Sequence, residues 1–274
     1  MSPVVFLGER SPIAEPRRLE IGLPGLLALA HRTDDALPAE LRPTSWNEAE
    51  SGAGIAGRDL ADLLAEGEEA LRSRGALDAD GAVVPSIAAD LVELAGNPRR
   101  VRLSLAGRGE ALLAYLWAGA DLAGSLVRHG SRCTLSLLDT RALGDEVATL
   151  LPDPVPVADR QPLAVPLETL SVVAADGEAA VPFGEARDLS SEVLQRLRRW
   201  DSSVQAVLHV AISSDDGVGV PRALVAFLAA DGWWAATPTT APAGADGEQW
   251  VRLQPTDRSG VLADVASLMT EAWT

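Results

Sequence analysis

Residues 101 to 139 read VRLSL-AGRGE-ALLAYLWA-GAD-LAGSLVRH-GSR-CTLSLLD, and the fold turns on this stretch. Val101, Leu103 and Leu105 alternate with Arg102 and Ser104, the period of a half-buried strand. Ala111–Ala118, Leu122–His129 and Cys133–Leu138 follow, separated by glycine-containing turns of only a few residues. Connections that short join antiparallel neighbours, because a parallel return needs a crossover of about a dozen residues or more. The stretch is therefore a meander, and a doubly wound sheet is excluded.

Working outward toward the N-terminus, Arg17 to Ile21 reads as a short edge strand. Leu23 to Arg32 reads as a compact helix, with Pro24 in the first turn where its missing N–H costs nothing. Pro38 to Gly57 is rich in Pro, Ser, Gly and Glu and is expected to loop around Trp46. Leu60, Leu63, Leu64 and Leu71 fall at helical spacing, and Gly75 stops that helix. Asp78-Ala-Asp-Gly81 makes a turn, and a helix from Pro85 carries Ile87, Leu91 and Leu94 to Gly96-Asn97-Pro98.

Beyond the meander, Asp139 caps a helix bearing Leu143, Val147, Leu150 and Leu151. The prolines between Pro152 and Pro166 predict an irregular crossover. The same order then returns. A helix spans Asp188 to Trp200, followed by strands at Val204–Ile212, Ala223–Ala230, Trp233–Thr237 and Trp250–Leu253. Alternation places Val204, Ala206, Leu208, Val210 and Ile212 on one face, with His209 on the other. Asp231-Gly232 signals a tight hairpin. A last helix puts Val261, Leu262, Val265, Leu268 and Met269 on one side.

The halves also match in sequence. Ala111-Leu-Leu-Ala-Tyr-Leu116 aligns with Ala223-Leu-Val-Ala-Phe-Leu228, and Val147-Ala-Thr-Leu-Leu151 with Val265-Ala-Ser-Leu-Met269. The different offsets are absorbed by the Ala, Gly and Pro-rich loop from Thr240 to Gly247. The expected fold is thus α/β of the α+β kind: a central, mostly antiparallel sheet flanked by helical bundles, with a pseudo-two-fold internal repeat. One domain is expected over 1–274, with repeat halves at about 58–151 and 167–274.

Composition narrows the function. All 23 basic residues are arginine, and 39 acidic ones leave a net charge of −16. That argues against nucleic acid as a partner. The lysine-free, Ala- and Gly-rich composition points to a GC-rich bacterial genome. The chain is 47% hydrophobic with mean hydropathy +0.11, yet no apolar run is long enough to span a bilayer, so no membrane insertion is expected. The short apolar stretch Val4–Leu7, followed by Glu9 and Arg10, is no signal-peptide core, and a cytoplasmic location is expected. Cys133, the single cysteine, reads as a buried small hydrophobe.

No catalytic constellation emerges. There is no Gly-x-Ser-x-Gly elbow, and His31, His129 and His209 lie far apart without triad-like company. One Cys and three scattered His do not make a zinc pattern, and Asp78–Gly81 lacks the distal ligands of a calcium loop. Gly217-Val-Gly219 runs into Val220-Pro221 rather than a third glycine opening a helix, so it is no dinucleotide fingerprint. No enzyme, metal or cofactor is expected. The seven tryptophans are the remaining unusual feature. Adjacent Trp233 and Trp234 must point to opposite sheet faces, which predicts one of them exposed or at an interface. Trp200 and Trp273 lie near helix ends, and tryptophan is favoured at binding hot spots.

The chain resembles the EspG family of chaperones associated with type VII (ESX) secretion. The resemblance is clearest from Leu60 to Leu170, through Leu71-Arg-Ser-Arg-Gly-Ala-Leu-Asp-Ala-Asp-Gly81, Val84-Pro85, Leu91-Val-Glu-Leu-Ala95, Ala148-Thr-Leu-Leu-Pro152 and Val165-Pro-Leu-Glu-Thr-Leu170. It continues in Trp250-Val-Arg-Leu-Gln-Pro255 and, more loosely, in Leu19-Glu-Ile21 and Leu41-Arg-Pro43. It implies a quasi-two-fold α/β fold and a non-catalytic cytosolic adaptor. Such a protein binds a PE–PPE-like helical substrate, keeps it soluble and directs it to the export machinery. Many relatives are actinobacterial, and a WXG-type helical hairpin is a related possible cargo. The family's contacts imply a partner-binding role for the short connection Gly107-Arg108-Gly109-Glu110 and for a bundle of the helices at Asp188–Trp200 and Thr256–Trp273. With the tryptophan argument, the candidate partner-binding residues are Arg108, Gly109, Glu110, Trp200, Trp233 and Trp273. Competing readings are a non-catalytic scaffold or homodimeric regulator unrelated to secretion, and an enzyme without a recognisable motif.

Overall fold

A computed structural model describes residues 17–33, 58–95, 99–107, 111–118, 122–157, 159–167, 191–214, 223–240 and 249–273. Its centre is the expected meander: β2 (Arg99–Gly107), β3 (Ala111–Ala118), β4 (Leu122–His129) and β5 (Arg132–Asp139), each antiparallel to the next. β1 (Arg17–Gly22) pairs outside β5 as an edge strand and runs straight into α1 (Leu23–Thr33). α2 (Leu60–Ser73) and α3 (Pro85–Ala95) precede the meander, and α4 (Leu143–Leu150) follows it. Asp59 caps α2 through its carboxylate and the Ala61 N–H, while Asp139 caps the 3-10 turn that leads into α4.

In the second half, α5 (Ser191–Ser203) leads into β7 (Val204–Ser214), β8 (Ala223–Ala229), β9 (Gly232–Thr239) and β10 (Trp250–Thr256), and α6 (Arg258–Trp273) closes the chain. The prolines of 152–166 do not exclude regular structure as expected. Leu163–Pro166 forms β6, antiparallel to β10 at the sheet edge. An edge strand needs only one row of bonds, and Pro166 sits at its end, where a missing N–H is tolerated. Trp46, Gly217–Val220 and the loop Thr240–Gly247 fall wholly or largely outside the described residues.

One ten-stranded sheet results, in the order β1-β5-β4-β3-β2-β7-β8-β9-β10-β6, with every neighbouring pair antiparallel. The order reads alike outward from the β2–β7 pair. The two sequence-matched stretches lie in β3 and β8 and around α4 and α6, at corresponding places in it.

The two faces are covered differently. On one face, α4 and α6 pack over the middle, where Leu103, Leu208, Val210, Val147, Val261 and Val265 share one cluster. On the other, α1, α2 and α3 cover the first half through Tyr115, Trp117, Leu126 and Leu135, while α5 covers the second through Leu197, Trp200, Phe227 and Leu253. Between these two apolar patches runs a polar seam. Leu113, Ser104, His209 and Val225 are successive cross-strand neighbours, so Ser104 and His209, with Arg100 and Arg102, separate the clusters. Val204 departs from the expected alternation. A bulge between Val204 and Ala206 turns it to the α5 side, while Ala206 stays on the α6 side.

Gly67 marks where α2 crosses α1. A methyl group there would collide with the Pro24 carbonyl and the Ala28 side chain. Both neighbours belong to α1, so the clash cannot be relieved by one side chain turning. Gly67→Ala is expected to destabilise the chain by about 2–3 kcal/mol despite alanine's better helix propensity, read as a lower urea midpoint.

Candidate functional site

The seam holds a histidine but no catalytic assembly. Burial, and then the Arg102 guanidinium, hold His209 below its usual pKa. His31 and His129 are exposed on α1 and at the end of β4. Burial pushes the Cys133 thiol up to about 11, opposed in part by Arg128, so it packs as an unreactive apolar group. Asp78 accepts the N–H groups of Asp80 and Ala82 in an Asx turn. Among the described residues, no group of three or more His, Cys, Asp or Glu could hold a metal ion.

An apolar concavity lies between α4 and α6. Its volume is about 520 Å³, and Leu143, Val147, Leu262, Val265 and Met269 line it, with Ala263 and Ala266 on its rim. Its wall α4 is held from beneath by Glu146, which is 4% exposed. Glu146 Oε1 accepts the hydroxyls of Ser125 on β4 (2.9 Å) and Ser136 on β5 (3.2 Å). Its Oε2 accepts Arg18 Nη2 of β1 at 2.6 Å. A buried carboxylate requires such partners. The Arg258 side chain, at the start of α6, donates to the Ala148 and Leu151 carbonyls at the end of α4. The groove walls are therefore joined to each other and to the sheet.

The candidate partner residues fall into three groups. Arg108, Gly109 and Glu110 lie outside the described residues; Gly107 and Ala111, which flank them in sequence, lie at one end of the sheet. The C-terminus of α5, the 230–232 turn and the start of α6 meet that same end. Trp200 and Trp233 are both buried. Trp200 packs edge-on against Phe227 and Trp234, with ring centroids 5.0 and 6.1 Å away. Trp233 lies under α6 and donates its Nε1–H to the Pro152 carbonyl at 3.1 Å. Adjacent Trp233 and Trp234 do point to opposite faces, but helices or loops cover both faces, so neither is exposed as expected. Trp273 ends α6.

The expected bundle of α5 and α6 is also absent among the described residues. The two helices lie on opposite faces of the sheet, and α6 instead pairs with α4. Sequence reasoning missed Glu146 and Arg258 because an acid in a first helical turn and an arginine at a helix start look like ordinary solvated residues.

Fold and groove together define a mixed α/β protein on one antiparallel sheet, with an apolar, helix-walled groove on one face. The chain belongs to the EspG family, whose profile matches residues 29–267. It is similar in fold to the Mycobacterium tuberculosis type VII secretion system chaperone EspG5, solved in complex with a PE25–PPE41 dimer. The TM-score is 0.56 at 16% identity, over 92% of this chain and 95% of that one. No curated protein matches the chain.

Glu146→Ala would leave the two buried serine hydroxyls without their acceptor, while Arg18 can turn to water. A loss of about 2 kcal/mol in urea denaturation is expected. His209 gives a pH signature. Its folded pKa is lowered, so protonation opposes the fold, and its stabilising contribution is lost as pH falls below about 6.5. The stability of His209→Gln relative to the parent chain should therefore rise as pH is lowered from about 7 to about 5.

Proposed function

We propose that this chain is a cytoplasmic, non-catalytic chaperone of a type VII secretion system that binds a PE–PPE-like helical substrate. The observation that carries the reading is the family match over residues 29–267, reinforced by a fold shared along nearly the whole chain with a chaperone solved on such a dimer. The groove suits the task. It is apolar and anchored at both walls, and a preformed surface loses little conformational freedom on docking a helix. Among the described residues no helix is long and apolar enough to cross a membrane, which accords with a chaperone that stays behind as cargo leaves.

In this reading the substrate contacts the α4–α6 groove and the connection bearing Arg108, Gly109 and Glu110. Trp273 adds an aromatic contact at the end of α6. Trp200 and Trp233 act from inside, holding α5 and the sheet end in place.

The test is co-expression with a PE–PPE pair or WXG-type protein encoded near the gene in its native host, read by size-exclusion chromatography with light scattering. A 1:1 complex of chaperone and substrate is expected. Recovery of the chain alone or as a homodimer, with every such substrate, would sink the reading. Ala263 and Ala266 are exposed on the groove rim. Ala263→Arg with Ala266→Arg should weaken substrate binding at least ~10-fold while moving stability by no more than about 0.5 kcal/mol.

A further inference from the structure

A second concavity, of about 590 Å³, opens between α5, the 157–163 segment and the start of β9. Arg160, Arg196 and Arg199 all line it, beside Trp200 and Trp234. Against them the lining holds two carboxylates, Asp159 and Asp231, so its charged groups are net positive in a chain of net charge −16. Five arginines elsewhere pair with carboxylates: Arg18 with Glu146, Arg32 with Glu68, Arg58 with Glu66, Arg72 with Glu69 and Arg258 with Asp153. Among the described residues, the three cleft arginines have no carboxylate within ion-pair distance.

Their donors are directed to backbone carbonyls, which leaves the charge uncompensated. Arg160 donates to the Trp233 and Thr256 carbonyls at 2.8 and 2.9 Å, and its guanidinium lies 5.8 Å from the Trp234 ring centroid. Gly232 makes room for it, since a methyl group there would come within 2.8 Å of its Nη1. Arg196 donates to the Gln161 and Pro162 carbonyls, and Arg199 to that of Gln195. Asp159 and Asp231 also line the cleft, but Asp231 accepts the Trp234 Nε1–H at 2.9 Å rather than an arginine.

We propose that this cleft binds an acidic peptide segment of a partner protein. Its volume lies in the range of ligand sites and exceeds what a single inorganic anion fills. Its wall mixes guanidinium groups with apolar surface from Leu163 and Val157, the latter 57% exposed, as a segment carrying both carboxylates and an apolar side chain would require. Arg196 and Arg199 lie three residues apart on one helix and both line the cleft, and guanidinium groups pair well with carboxylates. The proposal does not depend on the secretion reading, because the cleft and its charge are properties of the chain alone.

The test uses the full chain and a fluorescein-labelled hexaglutamate peptide, followed by anisotropy, with hexalysine and inorganic phosphate as comparison probes. Hexaglutamate should bind at about 50 mM salt and weaken at least ~10-fold at about 300 mM, while hexalysine, drawn to the acidic surface elsewhere, should bind no more weakly to the arginine-reversed variant below than to the parent. Arg196→Glu with Arg199→Glu should weaken binding at least ~10-fold, and Arg198→Glu, on the same helix but outside the cleft, less than ~3-fold. If the double reversal unfolds the chain, Arg196→Gln with Arg199→Gln gives the same comparison. Three results would overturn the proposal: no hexaglutamate binding up to about 1 mM; equal loss from Arg198→Glu; or displacement by phosphate at the peptide's own concentration, which would mark a plain anion site.

Discussion

The ladder between β2 and β7 is the constraint on which the rest depends. Its nine pairs, from Arg99–Ser214 to Gly107–Ala206, join two meanders that would otherwise each end in an open edge. A bare edge of that length is a template for pairing with other chains, so joining the halves removes two edges at once. The outer edges that remain are guarded differently. β1 is short and anchored through Arg18, and β6 has four residues and ends in proline.

The same ladder explains why the helices are distributed unequally. On the α4–α6 face the seam is apolar at Leu103, Leu208 and Val210, so a helix must cross it, and α6 does. On the other face the seam carries the buried Arg100 and the half-buried Arg102, Ser104 and His209, and among the described residues the helical layers stop on either side. Burying those groups beneath an apolar helix would strand several polar atoms, at a cost of roughly 1–3 kcal/mol each. Among the described residues, the α4–α6 face has the continuous apolar centre that a two-helix groove needs.

Much of this was legible in the residues. β3 and β4 have the bounds read from the sequence, because glycine-containing turns break an otherwise uniform apolar pattern. The signal failed where tertiary context overrode local chemistry. Prolines that forbid a central strand permit an edge one, which is why β6 was hidden. A bulge has no local signature, so Val204 changed faces unannounced. Adjacent tryptophans imply opposite faces, but only the tertiary arrangement shows that both faces are covered. The groove was half legible. Val147, Val265 and Met269 were recognisable as apolar helix faces, whereas their meeting across the seam, and the Glu146 and Arg258 links that fix it, depend on contacts more than a hundred residues apart.

Charge follows a related logic. An acidic chain whose only cation is arginine can direct each one to a carboxylate, a carbonyl or a partner. Carbonyl bonds satisfy the donors of a guanidinium without neutralising it, so an arginine used this way keeps its field. Arg258 has both, two α4 carbonyls and, at 4.0 Å, the Asp153 carboxylate, and its role is structural. Arg160 and Arg196 have carbonyls alone, and they converge with Arg199 where solvent can enter. With acidic residues outnumbering basic ones 39 to 23, three arginines against Asp159 and Asp231 still leave this concavity's lining net positive, opposite in sign to the whole. That contrast would steer an acidic segment to this cleft while the surrounding surface repels it.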